Sequence, residues 1–196
     1  SCAVRCNVGH ASSAVNVAII ANPVAGRRGA VAGAHVAAAL LEARGVSVML
    51  HETSAPGHAC ELARAAATAG ADAVLACGGD GTLHEVARAL AHTRCAMAVM
   101  AAGRGNDFAS ALGLPHDPAA AAASVLSGVT RATDLGVING HPFLTVAATG
   151  FDAAVARRER EGGLALFGRH AYLACVLWML PTWPAPRLRL RGDFGE

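Results

Sequence analysis

Hydrophobic residues fall along this chain in short unbroken runs, separated by glycine-bearing turns and by alanine-rich stretches of helical length. Val15 to Ala21 is the first run, and Asn22-Pro23 with Gly26 and Gly29 ends it, the pattern of a buried strand entering a loop. A helix is predicted next, with Val36, Leu40 and Ala43 on one face at i, i+4, i+7 and Gly45 where it would stop. Val46 to His51 reads as a second strand. After the turn Ser54 to Gly57, a helix is expected over Ala59 to Ala69, ended by Gly70, and Ala73 to Cys77 is a wholly apolar third strand. The cycle then repeats with the glycine-rich stretch Gly78 to Gly81, a helix from about Thr82 to His92, a strand from Ala96 to Ala101 and a loop holding Gly103 and Gly105. Asp117-Pro118 supplies an N-cap and a first-turn proline for a helix running to about Leu126.

Short apolar strands alternating with helices are the mark of a parallel sheet covered on both faces, and in such sheets ligands sit at the carboxyl ends of the strands. Beyond Gly128 the texture changes. Arg131 to Ile138 and Pro142 to Ala148 are β-rich and flank Asn139-Gly140, a strong hairpin signal. Leu164 to Leu180 reads as an amphipathic helix, and Arg187 to Arg191 alternates as a strand would. The expected organisation is therefore an N-terminal extension without structure over residues 1–14, an α/β domain over 15–129 and a partial, β-rich second domain over 130–196.

Composition narrows the function classes. A chain with 54% hydrophobic and 15% charged residues has material for a compact core. A net charge of +2, without any Lys/Arg run, is too weak a footprint for nucleic acid, so none is expected as a partner. The six cysteines form no C-x-x-C pair and read as buried thiols of a reducing compartment. No secretory leader is recognisable, and the most membrane-like window, Tyr172 to Leu180, is far shorter than the ~20 residues a spanning helix needs. The expected location is cytoplasmic, with peripheral attachment to the inner membrane face as an option.

Gly78 to Val86, GGDGTLHEV, is the sharpest feature. Its glycines permit a tight turn of bare backbone between a strand and a helix, and free N–H groups there, with the positive end of the helix dipole, make a cradle for phosphate oxygens. It is neither a Walker A loop nor a G-x-G-x-x-G fingerprint. The plainer reading is a strand-to-helix turn in which Thr82 and Glu85 form a capping box. Asn22 reads equally as a turn residue, Thr53 as a strand-end hydroxyl, and Asn106 and Asp107 as caps of the short helix containing Phe108 and Leu112. His84 reads as an exposed helix histidine.

The series NPVAG (Asn22 to Gly26), GGDGTLHEV (Gly78 to Val86), GRGNDFASALGLP (Gly103 to Pro115) and TGFDAAVA (Thr149 to Ala156) resembles the diacylglycerol kinase catalytic family, which includes bacterial lipid kinases and sphingosine kinases. GGDGT alone also occurs in NAD kinases and phosphofructokinases; the combination with the other motifs is more specific. The resemblance implies an NAD kinase/diacylglycerol kinase-like α/β nucleotide-binding domain followed by the start of a β-sandwich. It implies transfer of the ATP γ-phosphate to the hydroxyl of a lipid such as diacylglycerol at the membrane surface, with Mg²⁺. ATP contacts are implied at Asn22, Pro23, Val24, Ala25 and Gly26, at Thr53, at Gly79, Asp80, Gly81, Thr82, Leu83, His84 and Glu85, and at Arg104. Asp80 is the candidate catalytic group; metal ligands stay unassigned, and a homodimer stays open.

Two residues depart from the family pattern. Arg104 stands where the family usually has threonine before Asn-Asp, and His84 stands where bacterial members commonly carry asparagine, as it does in sphingosine kinases. The resemblance also implies that relatives continue past Glu196 through strands bearing acidic metal-associated groups and a candidate base. A nucleotide-binding fragment without catalysis, or a soluble GGDGT kinase such as NAD kinase, are the alternative expectations.

Overall fold

The computed structural model describes residues 2–4, 15–162, 170–184, 187, 189, 191 and 192. It divides into two compact units, residues 1–145 and 146–196. In the first, β1 (Cys2–Val4) is followed by β2 (Asn16–Ala21), α1 (Gly29–Glu42), β3 (Ser47–Glu52), α2 (His58–Thr68), β4 (Ala73–Gly78), α3 (Asp80–Leu90) and β5 (Ala96–Ala101). Then come α4 (Asp107–Leu112), α5 (Pro118–Ser127), β6 (Thr133–Ile138) and β7 (His141–Phe143).

Strands β3-β2-β4-β5 form one parallel sheet in that order. The order follows from the residues. All six positions of β4 are buried and all of β2 after Asn16, whereas β3 alternates between exposed and half-buried positions, as an edge strand does. Successive side chains leave a strand on opposite faces. Ala18, Ile20, Val74 and Ala76 therefore pack under α2 and α3 with Leu83, Val86 and Leu90, while Val17, Ile19, Leu75 and Cys77 pack against α1 and α5 with Leu41 and Val125. The expected α/β fold class holds, with parallel strands and helices on both faces.

Several local expectations hold as well. Asp117 caps α5 by accepting a hydrogen bond from the Ala120 N–H at 2.9 Å, with Pro118 in the first turn. Asn139 (φ 50°) and Gly140 (φ 79°) are both left-handed, the backbone of a two-residue hairpin turn between β6 and β7.

Others need correction. In α1 the expected face is turned out: Val36 is 50% exposed and Leu40 40%, while Ala30, Gly33, Ala34, Ala37 and Leu41 are buried. Small residues let this helix lie close to the sheet; a Cβ added at Gly33 would come 2.8 Å from Met100 Cε. Cys2–Val4, inside the segment expected to lack structure, pairs antiparallel with Thr133 to Leu135. The division between units falls after residue 145 rather than near 130, because Leu135 and Leu144 of the hairpin region pack onto the α3/α4 core.

The second unit contains α6 (Phe151–Arg160) and α7 (Ala171–Met179), the latter ending in a 3₁₀ turn at Leu180–Thr182. Val155, Ala171 and Cys175 are buried, the Arg158 guanidinium lies 4.5 Å from the Trp178 ring centroid, and Phe151 meets Trp183 edge to face. The Tyr172 hydroxyl donates to Asp152. Of the helix expected over Leu164 to Leu180, the described residues show Ala171–Met179, and its sequence AYLACVLWM is apolar on every side, so this part offers no polar face. Residues 164–169 lie outside the described residues, as do Leu188 and Leu190 of the expected alternating strand. None of the described helices is long and apolar enough to cross a membrane.

Candidate functional site

The carboxyl ends of β2, β4 and β5 each open into a loop with glycines, and hydrogen bonds extend the ladder one residue into each loop. The Asn22 N–H donates to the Cys77 carbonyl at 2.9 Å, and the Ala102 N–H to the Gly78 carbonyl at 2.8 Å. The three loops then touch. Gly26 (φ 57°) abuts the β5 loop so closely that a Cβ there would lie 2.6 Å from the Ala102 carbonyl oxygen. Gly103 backs onto Gly79, and a Cβ on Gly103 would stand 2.5 Å from Gly79 Cα. Side chains at these positions would force the loops apart, which is the reason glycine occupies them.

Three side chains from the first two turns of α3 tie this end of the sheet together, each to a different loop. Asp80 reaches the β5–α4 loop: its carboxylate accepts from the Asn106 N–H at 2.8 Å and, more weakly, from the Phe108 N–H at 3.4 Å. Thr82 reaches the β2–α1 loop, its hydroxyl accepting from Asn22 Nδ2 at 3.0 Å. Asn22 in turn closes its own turn by accepting the Val24 N–H at 3.0 Å. Glu85 reaches the β3–α2 loop, its two carboxylate oxygens accepting from the Gly57 N–H at 2.8 Å and the Ala59 N–H at 3.1 Å.

The expected capping box is therefore absent. Helix α3 begins at Asp80, two residues earlier than the spacing suggests, and its N-cap is Gly79 without a side-chain cap. Thr82 is consequently inside the helix, and Glu85 caps α2 instead of its own helix. Asn106 likewise does not cap α4 with its side chain. It adopts a left-handed backbone (φ 56°), is buried, and turns its amide back on Gly103, accepting from the Gly103 N–H at 2.7 Å and donating to the Gly103 carbonyl at 2.9 Å.

Among the other anticipated residues, Thr53 is buried at the end of β3, its N–H donating to the Ala21 carbonyl at 2.9 Å. Pro23 and Ala25 are half-buried, and Val24, Gly81 and Arg104 are exposed. Leu83 is fully buried in the core beneath the sheet, so its side chain is unavailable to a ligand. His84 is half-buried rather than exposed; burial, with Arg88 nearby, holds its imidazole below the usual value and opposes the smaller effect of Glu85. Sequence reasoning missed Gly57 and Ala102, whose roles lie in backbone N–H and carbonyl groups that no side-chain pattern signals.

A parallel sheet with glycine turns gathered at the carboxyl ends of its strands, one of them opening an α-helix, is the place where α/β domains of this architecture hold their ligands. The chain belongs to the diacylglycerol kinase catalytic domain family, whose description matches residues 16–138. It is 43% identical over 183 residues to a diacylglycerol kinase of Mycobacterium tuberculosis (strain CDC 1551 / Oshkosh), covering 90% of this chain and 59% of the relative. It is 36% identical over 180 residues to a diacylglycerol kinase of Bacillus subtilis (strain 168), covering 89% of this chain and 59% of that one. The chain thus spans about three fifths of these relatives' length. A crystal structure of a diacylglycerol kinase from Bacillus anthracis str. Sterne shares the fold, with a TM-score of 0.51 and 24% identity over 69% of this chain and 50% of that one.

Proposed function

We propose that the chain forms the nucleotide-binding part of a lipid kinase that transfers the ATP γ-phosphate to the hydroxyl of a lipid such as diacylglycerol. The observation that carries this reading is the convergence of the Asn22–Gly26, Gly79–Thr82 and Gly103–Asn106 loops around the start of α3. There, exposed Gly81 and the first N–H groups of an 11-residue helix offer donors to an anionic group. Positioning and charge neutralisation supply most of the catalysis in phosphoryl transfer, so a rigid frame of backbone donors suits it.

Asp80 is the proposed acid–base or metal-organising group. An ionised carboxylate has about four lone-pair sites, and two backbone N–H groups leave acceptor capacity for a substrate hydroxyl or a hydrated cation. The described residues hold no cluster of three His, Cys, Asp or Glu side chains suited to a metal. They fit Mg²⁺ only as an ion that arrives with the triphosphate and takes one or two carboxylates, Asp80 and Asp107, which both border Gly105. Mg²⁺ bound there would supply charge neutralisation for the transferring phosphoryl group.

The same reading has the protein work at the membrane surface, where its acceptor resides. Support comes from α7, which exposes Leu173, Leu177 and Trp178 next to the cation of Arg158. The test is γ-phosphate transfer from labelled ATP to diacylglycerol in mixed micelles, with NAD as a competing acceptor. Labelled phosphatidic acid is the expected product. Labelled NADP, or no ATP binding at all, would contradict the lipid-kinase reading, whereas ATP bound without transfer to lipid would mark the chain as a nucleotide-binding part that does not catalyse by itself.

A further inference from the structure

Along the outer edge of β5, the last strand of the parallel sheet among the described residues, runs a cavity of about 240 Å³. We propose that it holds the alkyl chain of a lipid with an anionic head, and that Arg131 at its mouth meets the head. The site is separate from the glycine turns and does not depend on the nucleotide reading.

The residues explain why space is left here. The floor carries the smallest side chains of the sheet, the single methyls of Ala73, Ala96 and Ala98. Phe108 and Leu112 of α4, Val125 of α5 and Leu135 of β6 form the walls. Gly128 (φ 62°) ends α5 and lets the chain turn back past the opening through Val129 and Arg131. Ala73 and Ala96 are the first residues of β4 and β5, so the cavity extends toward the amino ends of the strands, away from the phosphate turns. Protein interiors hold few voids larger than a water molecule, and an apolar cavity of roughly 150 Å³ stays dry and takes up benzene. On that scale a cavity of 240 Å³ suits about ten carbon atoms, more than one ring and close to half of a long acyl chain.

The mouth decides which kind of apolar ligand enters. Arg131 is the single charged residue among the described residues that line the cavity, and it is exposed. Asp72, next to the floor, is engaged elsewhere, its carboxylate accepting from the Asn16 N–H at 2.9 Å. The carboxyl end of α5 contributes roughly half a negative charge, which the full positive charge of Arg131 outweighs. Val129, 82% exposed beside it, extends the apolar wall outward. A chain that is dry along its length and meets a guanidinium fork at its end is an amphiphile with a carboxylate or phosphate head.

The experiment is calorimetric titration of hexanoate, octanoate, decanoate, dodecanoate, decyl phosphate and decanol, below their micellar concentrations, into the whole chain and into Arg131→Gln and Leu112→Trp. Affinity should rise about fourfold per added methylene up to decanoate and level off at dodecanoate, because the cavity is then full. Arg131→Gln should weaken decanoate and decyl phosphate by about 3- to 10-fold and decanol by less than about twofold, the exposed charge being partly screened. The tighter of the two anions in the parent identifies the head. Leu112→Trp fills the cavity and should abolish binding of every probe; if that variant does not fold, the chain-length series and the exposed Arg131→Gln variant still decide. No saturable binding, affinity that keeps rising at the same rate past ten carbons, or equal loss for decanoate and decanol in Arg131→Gln would overturn the inference. So would a chain that sediments as a dimer and binds no probe, since a second copy would then cover this edge.

Discussion

Removing the Glu85 carboxylate isolates the tie between α3 and the start of α2. In Glu85→Ala the Gly57 and Ala59 N–H groups, at the N-cap and second position of α2, lose acceptors at 2.8 and 3.1 Å. An N-cap lost to alanine costs about 1 kcal/mol, and a hydrogen bond to a charged group about 1.5–3 kcal/mol. Glu85 is only half-buried, and water can reach part of this helix end, so the expected destabilisation is about 2 kcal/mol, below the sum of the two. For a chain of this length that lowers Tm by about 4–8 °C. Glu85→Gln keeps one acceptor oxygen and should lose about half as much. Denaturant unfolding gives the energy, and amide hydrogen exchange gives the location, with faster exchange expected at Gly57 and Ala59. An α3 capping box would instead leave those two amides untouched and loosen the start of α3. Stability of Glu85→Ala within about 0.5 kcal/mol of the parent, with unchanged exchange at Gly57 and Ala59, would refute the assignment.

Three further outcomes are expected. Gly103→Ala puts a methyl 2.5 Å from Gly79 Cα and should cost about 1–3 kcal/mol and weaken ATP binding; unchanged binding by titration would mean the two loops move independently. Thr82→Val keeps the shape and removes the acceptor of Asn22 Nδ2, which should cost about 1 kcal/mol and speed exchange of the Val24 amide, whereas a neutral result would show the Asn22–Thr82 tie to be idle. Burial pushes the Cys77 thiol from its ordinary value of 9.0 up to about 12. The unfolded thiol then ionises first, so the folded chain binds more protons in that window and stability falls as pH rises from about 9 towards 12. Unfolding at pH 8 and pH 10.5 should show a smaller pH loss in Cys77→Ala than in the parent; equal losses would reject burial of this thiol as the cause.

The sheet was legible because β2, β4 and β5 are unbroken apolar runs whose length and punctuation admit little else. Turn chemistry was legible for the same local reason, at Asp117-Pro118 and Asn139-Gly140. The face of α1 was not. Counting branched residues selects Val36 and Leu40, but Ala30, Gly33, Ala34 and Ala37 bury better here because the helix must lie close to Met100 and Pro118. The site showed the same limit. Motif spacing located GGDGTLHE at the end of a strand, yet Thr82 and Glu85 three residues apart read as each other's capping partners, when their partners are Asn22 and the Gly57/Ala59 amides. Sequence separations of 60, 28 and 26 residues carry no local signal. Only the parallel topology, which brings all these loops to one end of the sheet, makes such ties possible.

In the proposed function the glycine turns at the ends of β2, β4 and β5 hold the phosphates of a nucleotide. Titrating ATP into isotope-labelled chain and following backbone amide resonances tests it residue by residue. The largest shifts are expected at Asn22 to Gly26, at Gly79 to Gly81 and at Gly103 to Asn106, with the amides of α5 and of β6 unmoved. Saturable shifts confined to other residues, or no shifts at millimolar ATP, would contradict it.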